Sequence, residues 1–240
     1  MIVELDAGNS RIKWRALDDS GVRLAGGSES AADALAAIEL QVGIPARVRV
    51  SCVRSSEYRE ALQQEFAQRW GVLAQFAVSL PAVGAVRNAY AEPSLLGVDR
   101  WLSMLASYAR CHKTCCIVDA GSALTIDFVA ADGLHEGGYI VPGLTMQRAS
   151  LLEGTAIQLI GPGQWAETDP GKSTVAAIDH GIVAMVVQWI ASEYSVRGGA
   201  GEMFLTGGDA QALSAHLRAR GLHHHLVPEL VLDGLALALP

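Results

Sequence analysis

The stretch Ile2-Val3-Glu4-Leu5-Asp6-Ala7-Gly8-Asn9-Ser10 indicates how this chain folds, because a second stretch repeats its pattern. The second copy is Cys116-Ile117-Val118-Asp119-Ala120-Gly121-Ser122-Ala123, and its Asp-Ala-Gly begins at position 119, where the first begins at position 6. In each copy an apolar run ends in a glycine turn and a second apolar run follows, a pattern typical of a β-hairpin. The repetition predicts a chain made of two related lobes.

We assign the first lobe to residues 1–113 and the second to residues 114–240. Lobes of this size suit a chain of 240 residues, half of which are hydrophobic and 18% charged. We expect the tail from Leu226 either to pair with a strand or to pack back on the first lobe.

Charge and cysteine content narrow the class of protein. The formal net charge of −7 argues against a nucleic-acid binder that works through a broad basic face. Glu4 and Asp6 interrupt what would be the apolar part of a signal peptide, and uninterrupted apolar runs such as Gly181–Ile190 are too short to cross a membrane. Four cysteines without a Cys-x-x-Cys pair indicate reduced thiols. We therefore expect a cytoplasmic protein with no nucleic-acid or membrane partner.

Strand and helix patterns follow each hairpin and predict an α/β fold with mixed sheets flanked by helices. Predicted strands cover Val22–Ser28, Arg47–Val53, Ala74–Ser79, Glu136–Val141 and Met203–Thr206. Predicted helices cover Ala31–Leu40, Ser55–Trp70, Gly97–Cys111, Leu144–Glu153, Thr174–Tyr194 and Ala210–Arg220. Segments 81–93 and 161–171 are predicted to be irregular, and residues 198–201 form a glycine-rich linker.

The first turn has the composition of a phosphate-binding site. Gly8 permits close approach of backbone N–H groups to phosphate oxygens, and Asn9 and Ser10 add short donors. Lys13, on the returning strand, can reach back to a phosphate. Asp6 cannot bind a phosphate directly and would act through Mg²⁺ or its waters. The alternative, an ordinary hairpin with polar turn residues, is disfavoured by the presence of a second copy.

The second turn offers Ser122 and the carboxylates of Asp119 and Asp127, but Ile126 stands opposite the position of Lys13. We therefore expect the first lobe to supply positive charge and the second to bind a cation. Further on, Leu205-Thr206-Gly207-Gly208-Asp209 is typical of a strand that enters a helix through a glycine turn, against which an adenine ring can lie. The chain has neither a Rossmann nor a Walker spacing.

The two turns and the late Gly-Gly turn resemble those of the acetate kinase, sugar kinase, actin and heat-shock chaperone superfamily. Within it, the chain is similar to type III pantothenate kinases over nearly its whole length. The segments that carry the likeness are Asp6–Lys13, Asn88-Ala89-Tyr90, Gly97-Val98-Asp99-Arg100, Asp119–Thr125, Gly137–Leu144 and Thr206–Asp209. The Gly-X-Asp-Arg and Gly-Gly-X-Ile-X-Pro-Gly segments discriminate best, since other superfamily members lack them in this context.

The resemblance implies an actin-like ATPase fold of two duplicated ribonuclease H-like lobes with a cleft between them. It also implies ATP-dependent phosphorylation of pantothenate to 4′-phosphopantothenate, the first step of coenzyme A biosynthesis, by a homodimer. Mg²⁺ and a monovalent cation, K⁺ or NH₄⁺, would be the inorganic cofactors.

Residue roles follow from the same resemblance. Asp99 matches the catalytic base and Asp119 the ligand of the monovalent cation. Residues that match ATP-binding positions are Asp6, Ala7, Gly8, Asn9, Ser10, Arg11, Ile12, Lys13 and Ser122. Residues that match pantothenate-binding positions are Tyr90, Gly97, Val98, Asp99, Arg100 and Thr174, the last in its own subunit or across the dimer. Ser10 and Ser122 replace the usual Thr and keep the hydroxyl.

The chemistry of these residues fits a kinase. An ionised Asp99 can accept an alcohol proton late in a loose transition state, although an Asp at a helix start is often only a cap. Arg100 can hold the pantothenate carboxylate through a bidentate pair, and Arg148 is an alternative. His223-His224-His225 reads as the polar start of a strand, because alternation places His224 opposite the other two.

Two other functions stay open from the sequence. One is a kinase or phosphatase of the same superfamily that acts on a sugar or a polyphosphate. The other is a regulatory protein that binds a nucleotide without turnover, which the joint presence of Asp6, Lys13, Asp99 and Asp119 disfavours.

Overall fold

The structure, a computed structural model, describes residues 1–197, 199 and 201–240. The chain divides into two compact units, one formed by residues 1–106 with residues 229–240, and one formed by residues 107–228. The lobe boundary inferred from the repeat stays a prediction. The predicted linker at 198–201 includes Gly198 and Ala200, which lie outside the described residues.

The elements alternate strands and helices along the chain. The strands are β1 Ile2–Ala7, β2 Ile12–Leu17, β3 Arg23–Glu29, β4 Arg47–Cys52, β5 Gln75–Phe76, β6 Ala82–Val83, β7 Val86–Arg87, β8 Cys115–Ala120, β9 Ala123–Val129, β10 His135–Pro142, β11 Glu202–Thr206 and β12 His225–Leu226. The helices are α1 Ala34–Val42, α2 Ser56–Trp70, α3 Val98–Cys111, α4 Leu144–Glu153, α5 Thr174–Val196, α6 Ala210–Ala219 and α7 Leu230–Ala238, with a short 3₁₀ turn at Pro93–Leu95.

The two large sheets repeat one topology. The first has the strand order β3-β2-β1-β4-β5 and the second the order β10-β9-β8-β11-β12. In each sheet the hairpin strands are antiparallel, and the fourth and fifth strands run parallel to the first. This repetition confirms the predicted α/β fold of two duplicated ribonuclease H-like lobes with mixed sheets flanked by helices.

The core of the first unit lies on one face of its sheet. Alternate residues of β1, Val3 and Leu5, are fully buried together with Trp14 of β2 and Phe66 of α2. Period-two alternation in β1 and helical spacing in α2 place these side chains on facing surfaces. Burial of such apolar groups contributes most of the favourable free energy of folding.

The opposite face of the first sheet carries an ionic network instead. Glu4 is fully buried and accepts from Nε of Arg15 at 2.7 Å and from Nη1 of Arg49 at 3.0 Å. Nη1 of Arg15 also donates to Oδ1 of Asp233 at 2.6 Å, which ties α7 to this face. A buried carboxylate is tolerated here because two guanidinium groups compensate its charge.

The chain tail forms the helix α7, a structure that the sequence pattern did not specify. Gly234 allows it to cross α3 closely, since a Cβ atom at this position would lie 2.3 Å from the carbonyl oxygen of Leu102. Segment 81–93, predicted to be irregular, contains the short β6–β7 hairpin. Such two-residue strands are too short for a periodicity signal.

The second unit has its own core, formed between its sheet and the helices α4, α5 and α6. Ile126 of β9, Val183 and Ile190 of α5 and Leu213 of α6 are fully buried there. The helix α5 is also long and apolar enough to cross a membrane by length and composition alone, a property that core helices share. The run Gly181–Ile190 counted in the sequence covers only part of it, because Asp179 and His180 interrupt the apolar sequence of the helix.

Candidate functional site

The first turn joins β1 to β2 at the end of the first sheet. Asp6, the penultimate residue of β1, lies opposite Lys13 of β2 and beside Ser51 of the parallel strand β4. Three strands therefore place a carboxylate, an ammonium group and a hydroxyl group in one row across the sheet. The side chains of Ala7 and Ile12 are buried in the core, so these two residues can offer only backbone groups to a ligand.

Asp6 has an altered acidity. Its pKa is raised from the ordinary value of 3.8 to about 6, first by burial of the carboxyl group and next by the charge of Asp99. Lys13 and the Ser51 hydroxyl act in the opposite direction and lower it. A carboxylate that is partly shielded from water and lies near another carboxylate is a good position for a cation, which would relieve both penalties.

Asp99 lies in the first turn of α3. The backbone N–H of Arg100 donates to Oδ1 of Asp99 at 2.7 Å, so the carboxylate also serves the helix start. Gly97 leaves room for this carboxylate, since a Cβ at position 97 would lie 2.8 Å from Oδ1. Because one carboxylate has two oxygens and several lone pairs, the helix contact and a role as base are compatible.

Arg100 is buried and points to Tyr90. Its Nη1 atom donates to the Tyr90 hydroxyl at 3.0 Å. The amide side chain of Asn88 fixes the segment before Tyr90, because Oδ1 accepts from the N–H of Tyr90 at 2.9 Å and Nδ2 donates to the carbonyls of Leu80 and Pro93 at 3.3 Å. A guanidinium group in a partly apolar setting is a strong ligand for a carboxylate.

The side chains around the first turn are tied to neighbouring elements. Arg54, just after β4, donates from Nε to the carbonyl of Gly8 at 2.7 Å and from Nη2 to the carbonyl of Asn9 at 3.0 Å. Arg11 instead donates from Nε to Oγ of Ser28 on β3 at 3.0 Å. The guanidinium group of Arg11 is therefore engaged away from the turn's amides.

The second turn is a shorter version of the first. Asp119 of β8 pairs with Thr125 of β9 and lies beside Thr206 of β11. The predicted equivalence of Lys13 with Ile126 is wrong, because the second turn has one residue fewer and Thr125 takes that register position. The hydroxyl group of Thr125 thus stands where the first turn has the ammonium group of Lys13. The second turn therefore has no lysine at this register position.

Asp127 does not join Asp119 at the turn. It lies opposite Ile117, two positions further from the turn, and its Oδ1 is 3.0 Å from Nε2 of His135. Both members of this pair are buried. Of the two carboxylates in this segment, only that of Asp119, the predicted cation ligand, therefore lies at the turn itself.

Two glycine segments close around the second turn. The N–H of Gly143 donates to the carbonyl of Ser122 at 2.9 Å, and a Cβ at Gly143 would lie 2.1 Å from the carbonyl oxygen of Gly121. Gly207 has a positive φ of 100°, and a Cβ there would lie 2.4 Å from the backbone of Ala120. The starts of α4 and α6 are therefore brought next to Ser122 and Ala120, within the second unit.

Arg148 has a structural partner. Its Nε donates to Oδ1 of Asp179 at 2.9 Å and its Nη1 to the carbonyl of Gly161 at 3.1 Å, which joins α4, α5 and the loop between them. This buried pairing argues against the alternative in which Arg148 holds the pantothenate carboxylate. Thr174 is exposed at the first position of α5, which Ser173 caps.

Other polar residues that stood out in the sequence have local partners. Nε2 of His224 lies 2.8 Å from Oγ of Ser214, and Nε2 of His225 lies 2.9 Å from Oε2 of Glu202, so these histidines do not converge. All four cysteines are free thiols, and burial raises the pKa of Cys116 to about 12. Within the described residues no group of three or more His, Cys, Asp or Glu side chains could hold a metal ion by itself.

The residues present nevertheless fit Mg²⁺ bound together with phosphates. Mg²⁺ needs one or two protein carboxylates and takes its remaining ligands from waters and phosphate oxygens. Asp6 supplies such a carboxylate at the first turn, and its pKa is raised by burial and next by the charge of Asp99, two effects that a bound cation would offset. Ser51 and Arg54 were missed in the sequence, because neither belongs to the turn; the only signal was their position at the end of a predicted strand.

Known proteins share both the sequence and the fold of this chain. A family model described as type III pantothenate kinase matches residues 2–195. The type III pantothenate kinase of Pseudomonas aeruginosa (strain LESB58) is 37% identical over 250 residues, which cover 100% of this chain and 99% of that protein.

Solved structures resemble the fold at much lower identity. A protein from Campylobacter jejuni, assigned to the Baf family of transcriptional activators, has a TM-score of 0.65 at 20% identity and covers 98% of this chain and 95% of its own. The ADPNP-bound activator of 2-hydroxyisocaproyl-CoA dehydratase from Clostridium difficile has a TM-score of 0.55 at 10% identity, with coverages of 98% and 92%. These likenesses concern the fold alone. The family model matches most of the sequence, and a relative aligns with the chain over its full length. The chain therefore belongs to the type III pantothenate kinase family.

Proposed function

We propose that this chain is a kinase that transfers the γ-phosphoryl group of ATP to the hydroxyl group of pantothenate, which yields 4′-phosphopantothenate for coenzyme A biosynthesis. The observation that carries the proposal is the proximity of Asp6 and Asp99 within the first unit, where the charge of one raises the pKa of the other. A turn suited to ATP phosphates thus lies beside a carboxylate suited to accept a proton from an alcohol.

Asp99 is the proposed base. The acceptor oxygen forms a bond to the γ-phosphorus while the bond from that phosphorus to the β–γ bridging oxygen of ATP breaks, and the hydroxyl proton passes to Asp99. Because the transition state of such transfers is loose, the proton leaves late and an ordinary ionised Asp is basic enough. Gly97 supports this role, since it leaves the space that the Asp99 carboxylate occupies.

The turn from Asp6 to Lys13 is the proposed phosphate site, and Ser122 of the second unit is a further proposed ATP contact. Backbone N–H groups and the Lys13 ammonium neutralise phosphate charge, which is the main requirement of phosphoryl transfer. Asp6 would hold Mg²⁺, which supplies additional charge neutralisation at the phosphates when bound. Asp119 is the proposed ligand for K⁺ or NH₄⁺.

Arg100 is the proposed anchor for the pantothenate carboxylate. Its buried guanidinium group and the hydrogen bond to Tyr90 hold it in one orientation, which lowers the entropic cost of binding an anion. Gly97, Val98 and Tyr90 are proposed to line the same site, and Thr174 to contribute from its own subunit or from the second subunit of a homodimer. We expect the enzyme to act in the cytoplasm, without a nucleic-acid or membrane partner.

The test is ADP release from MgATP with pantothenate as the acceptor, with and without K⁺ or NH₄⁺. Turnover that requires both pantothenate and a monovalent cation supports the proposal and the role of Asp119. Turnover with a sugar but not with pantothenate would assign the chain to another kinase activity of the superfamily. Nucleotide binding without turnover on any acceptor would support the regulatory alternative.

A further inference from the structure

Arg54 reaches the first turn from a distant part of the sequence. It lies two residues after the end of β4, and the parallel pairing of β4 with β1 brings the ends of these two strands together. There its guanidinium group donates from Nε to the carbonyl of Gly8 at 2.7 Å and from Nη2 to the carbonyl of Asn9 at 3.0 Å. One planar fork thus holds two successive carbonyl groups of the turn.

This contact determines where the turn's amides point. In a trans peptide the C=O and N–H groups are coplanar and lie on opposite sides of the bond. When Arg54 holds the carbonyls of Gly8 and Asn9, the N–H groups of Asn9 and Ser10 must therefore point away from the guanidinium group. Two successive amides directed to one side form the concave arrangement that binds anions.

The guanidinium group is itself held in place before any ligand arrives. It stacks over the ring of Tyr58, with Cζ 4.4 Å from the ring centroid. The backbone of Tyr58 is fixed in the first turn of α2, because its N–H donates to Oγ of the N-cap residue Ser55 at 3.3 Å. Stacking on an aromatic face is a preferred environment for Arg and restricts its rotation.

We propose that Arg54 is a positioning residue for the phosphate-binding turn, which it acts on through the peptide groups of Gly8 and Asn9. The inference rests on the proposed function of that turn. Arg54 does not need to contact the nucleotide; the fork geometry, rather than the positive charge alone, orients the amides. A lysine at this position would keep the charge and lose the fork.

The experiment compares three variants, Arg54→Gln, Arg54→Lys and the control Arg59→Gln. Arg59 lies on α2, which also carries Tyr58, and it stacks over Phe76, with Cζ 4.9 Å from that ring centroid, so the control removes an equal charge from a different surface. The readouts are the Kd of MgADP and of adenosine by calorimetry, the KM of MgATP and of pantothenate, kcat, and the melting temperature.

We expect both Arg54 variants to weaken MgADP binding and to raise the KM of MgATP by about tenfold, the effect of losing a charged hydrogen bond. In both Arg54 variants, adenosine binding and the KM of pantothenate should stay unchanged, because the defect concerns phosphates only. In Arg59→Gln, all the measured constants should stay unchanged. A merely structural role would instead lower the melting temperature and weaken both ligands together, which would overturn the inference. Full recovery of MgADP affinity in Arg54→Lys would also overturn it, since charge alone would then suffice.

The outcomes separate this inference from the proposed function. If the natural protein phosphorylates pantothenate and Arg54→Gln binds MgADP normally, the positioning role is wrong while the kinase stands. If the natural protein binds MgADP without phosphorylating pantothenate, and Arg54→Gln and Arg54→Lys lose that binding, the acceptor assignment is wrong while the positioning role stands. If the natural protein binds no nucleotide, both are wrong.

Discussion

Asp6 at the end of β1 and Asp99 in the first turn of α3 are close enough for the negative charge of Asp99 to add to burial in raising the pKa of Asp6 to about 6. The two carboxylates belong to segments more than ninety residues apart in the sequence. Their proximity joins the proposed phosphate-binding turn to the proposed base, and most of the chemistry that we expect follows from it.

Nucleotide binding should depend on pH through Asp6. Because the pKa of Asp6 is about 6, its carboxylate becomes protonated below that value and can no longer serve as the proposed Mg²⁺ ligand. We expect MgADP affinity to fall as the pH decreases through about 6, whereas adenosine affinity should stay constant. Calorimetric titrations between pH 5 and 8, with about the same ionic strength throughout, measure this. In Asp99→Asn the midpoint should move to lower pH, and an unmoved midpoint would contradict the coupling.

The substitution Asp6→Asn should stabilise the fold. Asp6 binds a proton more tightly in the folded state, at a pKa of about 6, than at its ordinary value of 3.8. The free energy of unfolding therefore falls as the pH rises from about 4 to 6 and stays low above that range. Asp6→Asn removes this penalty, with a gain of up to about 3 kcal/mol at pH 7.5.

Urea denaturation at pH 4 and at pH 7.5 checks this expectation. The gain should be confined to the higher pH, because Asp6 is protonated in the folded state at the lower one. Equal stability of Asp6→Asn and the natural protein at pH 7.5 would show that the carboxylate is not under strain. The variant should at the same time lose MgADP affinity, a trade between stability and activity that functional sites often show.

Asp99→Asn should remove the base without unfolding the protein. The amide keeps the shape of the side chain and can still accept from the N–H of Arg100, so we expect a near-normal melting temperature. Turnover of pantothenate should fall by about 10²- to 10⁴-fold, the usual contribution of a general base. Steady-state kinetics with a coupled ADP assay measure the loss. Near-normal turnover would refute the assignment of Asp99.

The glycine pair after β11 provides a matched test of the second turn. Gly207→Ala should destabilise the protein, because φ is +100° and the new Cβ would lie 2.4 Å from the backbone of Ala120. We expect a loss of about 1–3 kcal/mol in the free energy of unfolding. Gly208→Ala is the control, since a Cβ there meets no atom of the described chain within 4 Å. Similar stabilities of the two variants would contradict the close approach.

Two helical glycines, Gly234 in α7 and Gly181 in α5, test the packing of α7 against α3. Gly234→Ala should lower the free energy of unfolding by more than about 1 kcal/mol, because its Cβ would lie 2.3 Å from the carbonyl oxygen of Leu102. Gly181→Ala, also inside a helix, meets no described atom within 4 Å and should instead raise stability by up to about 1 kcal/mol. Chemical denaturation of both variants separates helix propensity from packing. A stabilising Gly234→Ala would argue against the α7–α3 crossing.

The duplicated hairpins could be predicted because they depend on local chemistry. Apolar alternation and the Asp-Ala-Gly turns are visible in short windows, and the two sheets confirm them with the same strand order. The equivalence of Lys13 with Ile126 failed for a related reason. A fixed offset along the chain assumes turns of equal length, whereas hydrogen bonding across the strands places Thr125 in that position.

Pairing between distant segments could not be predicted in the same way. Ser51 and Arg54 reach the first turn only because β4 lies parallel to β1, and a parallel neighbour is separated in sequence by a crossover. Arg148 illustrates the reverse case. Its position after Pro142-Gly143 suggested a ligand contact, but Asp179 from α5 binds it in the core.

Residue order alone was sufficient to establish two hairpins with Asp-Ala-Gly turns, an α/β class and the family, since these depend on local composition and on spacing along the chain. Packing in three dimensions settled the acidity of Asp6, the partner of Arg148 and the course of the tail as α7. Those properties depend on burial and on charges brought together from distant segments, and electrostatic interactions inside a protein act through space rather than along the chain.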